Sequence, residues 1–128
     1  MKPFIHARNS ARKYGGKPED YQAIHDFFDS SKQTVADMRH RAILHSAFGI
    51  FIAERVFGTT VTNSDGRQIS VRDICEDHVI EDLGFIPSVE KWLKHLPMED
   101  WMFGSDRGRK TKSDRFIPFD ETTDNLVD

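Results

Sequence analysis

A chain of 128 residues is long enough for one domain with a real core, yet 38% apolar and 30% charged residues place part of it outside that core. A net charge of −3 gives no footprint for nucleic acid, and the lone cysteine, Cys75, excludes an internal disulfide and a cysteine-based zinc finger. No apolar run approaches a membrane span and the N-terminus lacks a signal-peptide core, so a cytoplasmic protein without membrane contact is expected.

Lys2–Tyr14 predicts a short helix ended by Gly15-Gly16, with Phe4, Ala7, Ala11 and Tyr14 inward and His6 off that stripe. Pro18–Ser31 predicts a second helix, Pro18 suiting its first turn. Tyr21, Ile24, Phe27 and Phe28 form its buried face, His25 sits at the edge, and Asp29 follows one turn later, where a carboxylate can fix an imidazole tautomer. Asp37–Gly58 reads as one long helix, with Asp37 as N-cap and Gly58 at the stop. Ile43, Leu44, Ala47, Phe48, Ile50, Phe51 and Ile52 cover most of its circumference. The remainder is a stripe of small residues, Ala42, Ser46, Gly49 and Ala53, which lets another backbone come close. A helix buried on both sides is central, and the rest of the chain should wrap it. His40 falls within its large apolar face and His45 at the seam, about 140° apart on the wheel.

Val61 and Ile69 flank Asn63-Ser64-Asp65-Gly66, the signal of a small β-hairpin. Ser70 then caps a helix over Val71–Leu83, closed by Gly84. Its inner face holds Val71, Ile74, Cys75, His78, Val79 and Asp82. A carboxylate in the middle of such a face needs a donor or a metal. Ser88 caps a helix carrying Val89, Trp92, Leu93 and Leu96, which Pro97 ends. Met98, Trp101, Met102 and Phe103 make a last apolar cluster before the composition shifts at Gly104 to a basic run and an acidic end. The expected fold is therefore all-α: a compact bundle of about five helices around a central buried helix, with one small β-hairpin and a polar C-terminal tail. Residues 1–103 form the helical domain and 104–128 the tail. Phe116-Ile117-Pro118-Phe119 in the tail would dock on its own domain, a second copy in a homo-oligomer, or a phage or host protein partner.

His25, His40, His45 and His78 fall on helices that must touch, accompanied by Asp29, Glu54 and Asp82. Imidazole and carboxylate from several helices suit zinc, manganese or iron, and bundle interiors hold such sites. The candidate metal set is His25, His45, His78, His40 and Asp29. Asp82 and Arg39 are the candidate catalytic residues, with Arg41, Arg72 and Lys32 as further anion contacts. No glycine-rich phosphate loop, Ser-His-Asp order or reactive-cysteine context points to another enzyme class.

The stretches HARNSARKYGGKPEDYQAIHDFFDSSK, DMRHRAILHSAFGIFIAERVFG, NSDGRQISVRDICEDHVIEDLG and IPSVEKWL resemble a family of small phage- and bacterium-encoded proteins of unknown function. That resemblance covers residues 6–102 and implies a cytosolic or phage-associated setting but no activity. His6, His25-Asp26 and Asp82 also follow the order of metal ligands in HD-type phosphohydrolases, to which the chain is more distantly similar. Here it departs from the pattern, because Asp26 points about 100° from His25 and the spacing is short. Two functions stay open. One is a metal-dependent hydrolase acting on a phosphorylated or nucleotide substrate. The other is a non-enzymatic phage structural or host-interaction protein, with a structural cation or a buried His/Asp hydrogen-bond network.

Overall fold

The computed structural model describes residues 1–104, so the expectations for the tail lie outside the described residues. Met1–His95 form one compact unit. It contains helices α1 (Pro3–Tyr14), α2 (Gln22–Asp29), a single turn α3 (Arg41–Leu44), α4 (Ala47–Phe57), α5 (Val71–Leu83) and α6 (Val89–Leu93). Strands β1 (Thr60–Thr62) and β2 (Gln68–Ser70) pair antiparallel between α4 and α5, with Val61 opposite Ile69. Beyond that unit the described chain makes a short 3-10 turn, Asp100–Phe103. The mostly helical architecture with one hairpin is as the periodicities require.

Helix α5 is the element against which α1, α2, α4 and the hairpin all pack. Ser70 caps it by accepting a hydrogen bond from the Asp73 N–H, and Gly84 closes it in the left-handed conformation. Val71, Ile74, Cys75 and Val79 join Tyr21, Ile24, Phe28, Ile50, Ala53 and Ile69 in the apolar core. The hairpin is pinned to the α1–α2 connection. Asp20 accepts hydrogen bonds from the Ser64 backbone and hydroxyl, and Asn63 Nδ2 donates to the Tyr21 hydroxyl. A two-stranded ribbon is marginal alone, and these contacts hold it.

The single helix expected over Asp37–Gly58 is broken. A 3-10 turn (Met38–His40) leads into α3, and the chain kinks at His45 before α4. His45 has φ −81° and ψ 69°, and the Ser46 N–H donates to the Leu44 carbonyl at 2.8 Å, which makes an inverse γ-turn. Ser46 is extended and its hydroxyl accepts from the Gly49 N–H at 3.1 Å, the N-cap of a new helix. Bonds from outside replace those lost in the ladder: Ala47 N–H donates to the Pro87 carbonyl, and the Trp92 indole to the His45 carbonyl. The small stripe does admit a close backbone, but it is the chain's own. A Cβ on Gly49 would lie 1.7 Å from the Leu44 carbonyl oxygen. A wheel drawn through the kink fails in consequence, and Ile43, Phe48 and Phe51, read as core, are exposed.

Candidate metal centre

The helical period of α5 sets His78 and Asp82 one turn apart, below Cys75 and Val79. Helix α1 turns Ala7, Ala11 and Tyr14 inward as its apolar stripe predicts, but the inner face takes in His6 and Ser10 and leaves out Phe4. His6, Ala7 and Ser10 are buried, while Phe4 is 54% exposed. Helix α2 supplies His25, fully buried rather than at an edge, and Asp29 at its C-terminal end. The kink supplies His45, whose displacement from the helix line carries its ring toward α5. Five histidines, 6, 25, 40, 45 and 78, are at most 1% exposed.

Three of them, His6, His45 and His78, meet at Asp82. Its side chain is fully buried. Oδ2 lies 2.9 Å from His45 Nε2 and 3.3 Å from His78 Nε2. Oδ1 lies 3.1 Å from His6 Nε2, 3.1 Å from the amino group of Met1 and 3.7 Å from Arg41 Nη2. Burial alone opposes the charge on this carboxylate. The hydrogen bonds from His45, His6 and the amino group, with the His78 ring close by, outweigh it and hold the carboxyl well below its usual range. Asp29 Oδ1 stands further off, 3.9 Å from His45 Nε2 and 4.0 Å from His78 Nε2.

The surrounding imidazoles divide by environment. Burial lowers the pKa of His25 to about 3, with His78 and His6 adding to the effect. His78 is lowered by burial, which Asp82 only partly offsets, and His40 is lowered chiefly by burial. His6 is raised, because its bonds to Asp82 and to Glu81 Oε1, at 2.7 Å, overcome the burial that works against protonation. It bridges the two carboxylates.

Two groups of donor atoms are compact enough to surround an ion. In one, Asp29, His45, His78 and Asp82 bring ligand atoms within 4.8 Å of one another. In the other, His6, His25 and His78 do the same. The second group is already satisfied internally. His25 Nδ1 is 2.9 Å from His78 Nδ1, His25 Nε2 is 2.8 Å from Ser10 Oγ, and both nitrogens of His6 face carboxylates. The first group is not. Asp29 Oδ2, Arg41 Nε, His45 Nδ1 and His78 Nε2 are buried with no hydrogen-bond partner among the described residues. His78 Nε2 is near Asp82 but not at a hydrogen-bonding angle. Buried polar atoms are rarely left so, and the unpartnered His78 Nε2, facing the carboxylates of Asp82 and Asp29, fits an ion.

The structure thus brings His45, His78, Asp82 and Asp29 together. It places His25 one ring further out, against His78 rather than Asp29. His40 lies beside the cluster, with its ring centroid 5.9 Å from that of His45 and Nδ1 3.0 Å from Ser31 Oγ. Arg39 is set apart: its guanidinium is exposed and held by Asp37. Arg41 is the arginine at Asp82. Glu54 and Arg72 line a separate surface cavity, and Asp26 is exposed and bonded to Gln22, so no adjacent His-Asp pair forms. His6 and Ser10 escaped the periodicity, although the order of ligands in HD-type proteins pointed at His6. Among the described residues no helix is long and apolar enough to cross a membrane. No curated protein and no solved structure matches the chain. One family model, described as a domain of unknown function (DUF6915), matches residues 1–102, and the chain belongs to that family.

Proposed function

We propose that this domain binds one divalent metal ion through His45, His78 and Asp82, with Asp29 completing the set, and uses it to hydrolyse a phosphorylated or nucleotide substrate. One observation carries the reading: four donor atoms converge within 4.8 Å while neighbouring atoms of the same side chains are buried and unpartnered. Two imidazoles and two carboxylates suit zinc, manganese or iron. Such an ion would supply Lewis acidity, activating a water molecule and polarising a phosphoryl oxygen. The protein's own residues divide the remaining work. Asp29 stands further from the histidine nitrogens than Asp82 does, and its free Oδ2 is placed to accept a proton from water. Of the expected anion contacts Arg39, Arg41, Arg72 and Lys32, Arg41, with an unpartnered Nε and its Nη2 3.7 Å from Asp82 Oδ1, is the one placed to bind the substrate's anion.

Elemental analysis of the purified protein tests the first half, and one equivalent of metal per chain is expected. Hydrolysis of bis(p-nitrophenyl) phosphate by the metal-loaded protein tests the second. Asp29→Asn should abolish turnover while retaining the metal. A chain without stoichiometric metal overturns the reading. The complete burial of His45, His78 and the Asp82 side chain favours a second reading: a structural cation or closed hydrogen-bond network in a non-enzymatic phage or host-interaction protein. There the tail would contact a second copy or a partner, and metal would raise the melting temperature with no turnover to lose.

A further inference from the structure

The two donor groups overlap at His78, and the two nitrogens of that ring face different ways. Nε2 points to Asp82 and Asp29, and Nδ1 to His25. The ring cannot turn freely, because it stacks on His6 at 3.8 Å and on Phe28 at 4.9 Å between centroids. A neutral imidazole carries one N–H and one lone pair, so the proton on Nδ1 decides whether Nε2 offers a lone pair. We propose that His25 is a positioning residue for the metal centre: it accepts a hydrogen bond from His78 Nδ1–H and, anchored by donating its own Nε2–H to Ser10, holds His78 in the tautomer that presents Nε2 to the ion. This rests on the metal-centre reading above and assigns the second group of histidines a different task, so that the chain holds one ion and not two.

The chain of bonds has only one direction compatible with that task. If His25 Nδ1 carried the proton, His78 Nδ1 would be the acceptor and His78 Nε2 would carry a hydrogen. That N–H would point at Asp82 Oδ2, 3.3 Å away, and a protonated Nε2 could not ligate an ion. In the proposed direction every N–H is used: His78 Nδ1–H on His25 at 2.9 Å, and His25 Nε2–H on Ser10 Oγ at 2.8 Å. The one unused atom is the Nε2 lone pair, aimed into the cluster. Histidine ligands ordinarily donate their other N–H to a fixed acceptor, usually a carboxylate or carbonyl, and loss of that acceptor weakens metal binding. Here the acceptor is a second histidine, itself fixed by a buried serine on α1.

Zinc titration of the full chain, with ¹⁵N NMR of the histidine rings, tests this. In the zinc-loaded wild type, His78 should show a protonated Nδ1 and a ligated Nε2, with one zinc per chain. His25→Leu should weaken zinc affinity by about 10–100-fold, the range for loss of such a partner. His25→Gln, whose amide oxygen can accept the same bond, should restore most of it. Zinc on His78 Nδ1, two zinc ions per wild-type chain, or unchanged affinity in His25→Leu would each overturn the proposal. The NMR result on the wild type decides even if the leucine variant fails to fold. A wild type that binds no zinc overturns the metal-centre reading as well, whereas zinc binding with His25→Leu unaffected overturns this proposal alone.

Discussion

In the N-terminal half of α5, Val71, Ile74 and Cys75 are fully buried among Ile50, Ala53 and Ile69. In the C-terminal half, His78 and Asp82 are buried just as deeply among His6, His25 and His45. The two regions respond to burial in opposite ways. Beside the apolar residues, burial pushes the Cys75 thiol up to about 12, with nearby Glu54 and Glu76 adding to the effect, and keeps it neutral. One turn past His78, donors on several elements keep the Asp82 carboxyl ionised despite burial. The first half is stabilised by removing surface from water. The second is stabilised only while every partner is in place, and so it is specific and fragile.

That contrast is broken most severely at Asp82. Asp82→Ala leaves three imidazoles and Arg41 facing an uncompensated hollow, and should destabilise the fold by roughly 3–5 kcal/mol. Ile74→Ala opens a cavity on the same helix and should cost about 2–5 kcal/mol. Similar losses in denaturant melts would hide the difference, so zinc should be added to both. Zinc should raise the melting temperature of Ile74→Ala as it does the wild type, and leave Asp82→Ala unmoved. If zinc stabilised Asp82→Ala equally, the ion would lie elsewhere.

Acid sharpens the comparison with a smaller effect, measured on the metal-free protein. His25, His40 and His78 have native pKa values below 6.5, so between 6.5 and those values the unfolded chain binds more protons. Their contribution is fully present above pH 6.5 and is lost as pH falls, over a window reaching to about 3 for His25. His6 works the other way: its raised pKa gives stability below 6.5 that is lost as pH rises through its native value. Three lowered groups against one raised group predict a net loss on acidification. Each lowered histidine contributes at most about 1.4 kcal/mol per pH unit. Thermal melts at pH 7 and pH 5 check this. A melting temperature unchanged or higher at pH 5 would mean that the bridge through His6 dominates the cluster.

The legible parts of this molecule are those where local chemistry decides. Asp65-Gly66 marked the hairpin, Ser70 and Gly84 bounded α5, and the position of Asp82 on an apolar face showed that something polar must surround it. His6 was hidden because the apolar stripe of α1 offers Phe4 as its first inner residue. Ala7, Ala11 and Tyr14 do face the core, but the buried face is rotated away from Phe4 to take in His6 and Ser10. Only the carboxylates of α5 and the ring of His25, distant in sequence, make that the better choice. Arg39 and Arg41 could not be told apart for a related reason. Their side chains part company at a 3-10 turn and a single helical turn, where a wheel of constant pitch has no meaning.

The kink at His45 was legible in principle, and it carries the smallest and most diagnostic prediction. A serine inside an apolar helical run, followed three residues later by glycine, is an N-cap in the wrong place for one long helix. Ser46 caps α4 through the Gly49 N–H, and Gly49 has no Cβ to strike Leu44. Ser46→Ala removes the cap and should cost about 1 kcal/mol, a modest loss for a buried position. Its effect on the cluster should exceed its effect on the fold. The inverse γ-turn that aims His45 Nε2 at Asp82 is held from one side by this cap and from the other by the Trp92 indole on the His45 carbonyl. Loosening one side lets the ring drift from its 2.9 Å contact with Asp82, and a ligand displaced by a fraction of that distance is no longer a ligand. Zinc affinity should therefore fall by more than the roughly fivefold that 1 kcal/mol represents. A loss of stability with zinc affinity intact would show that the kink is a packing feature, and that His45 reaches Asp82 without it.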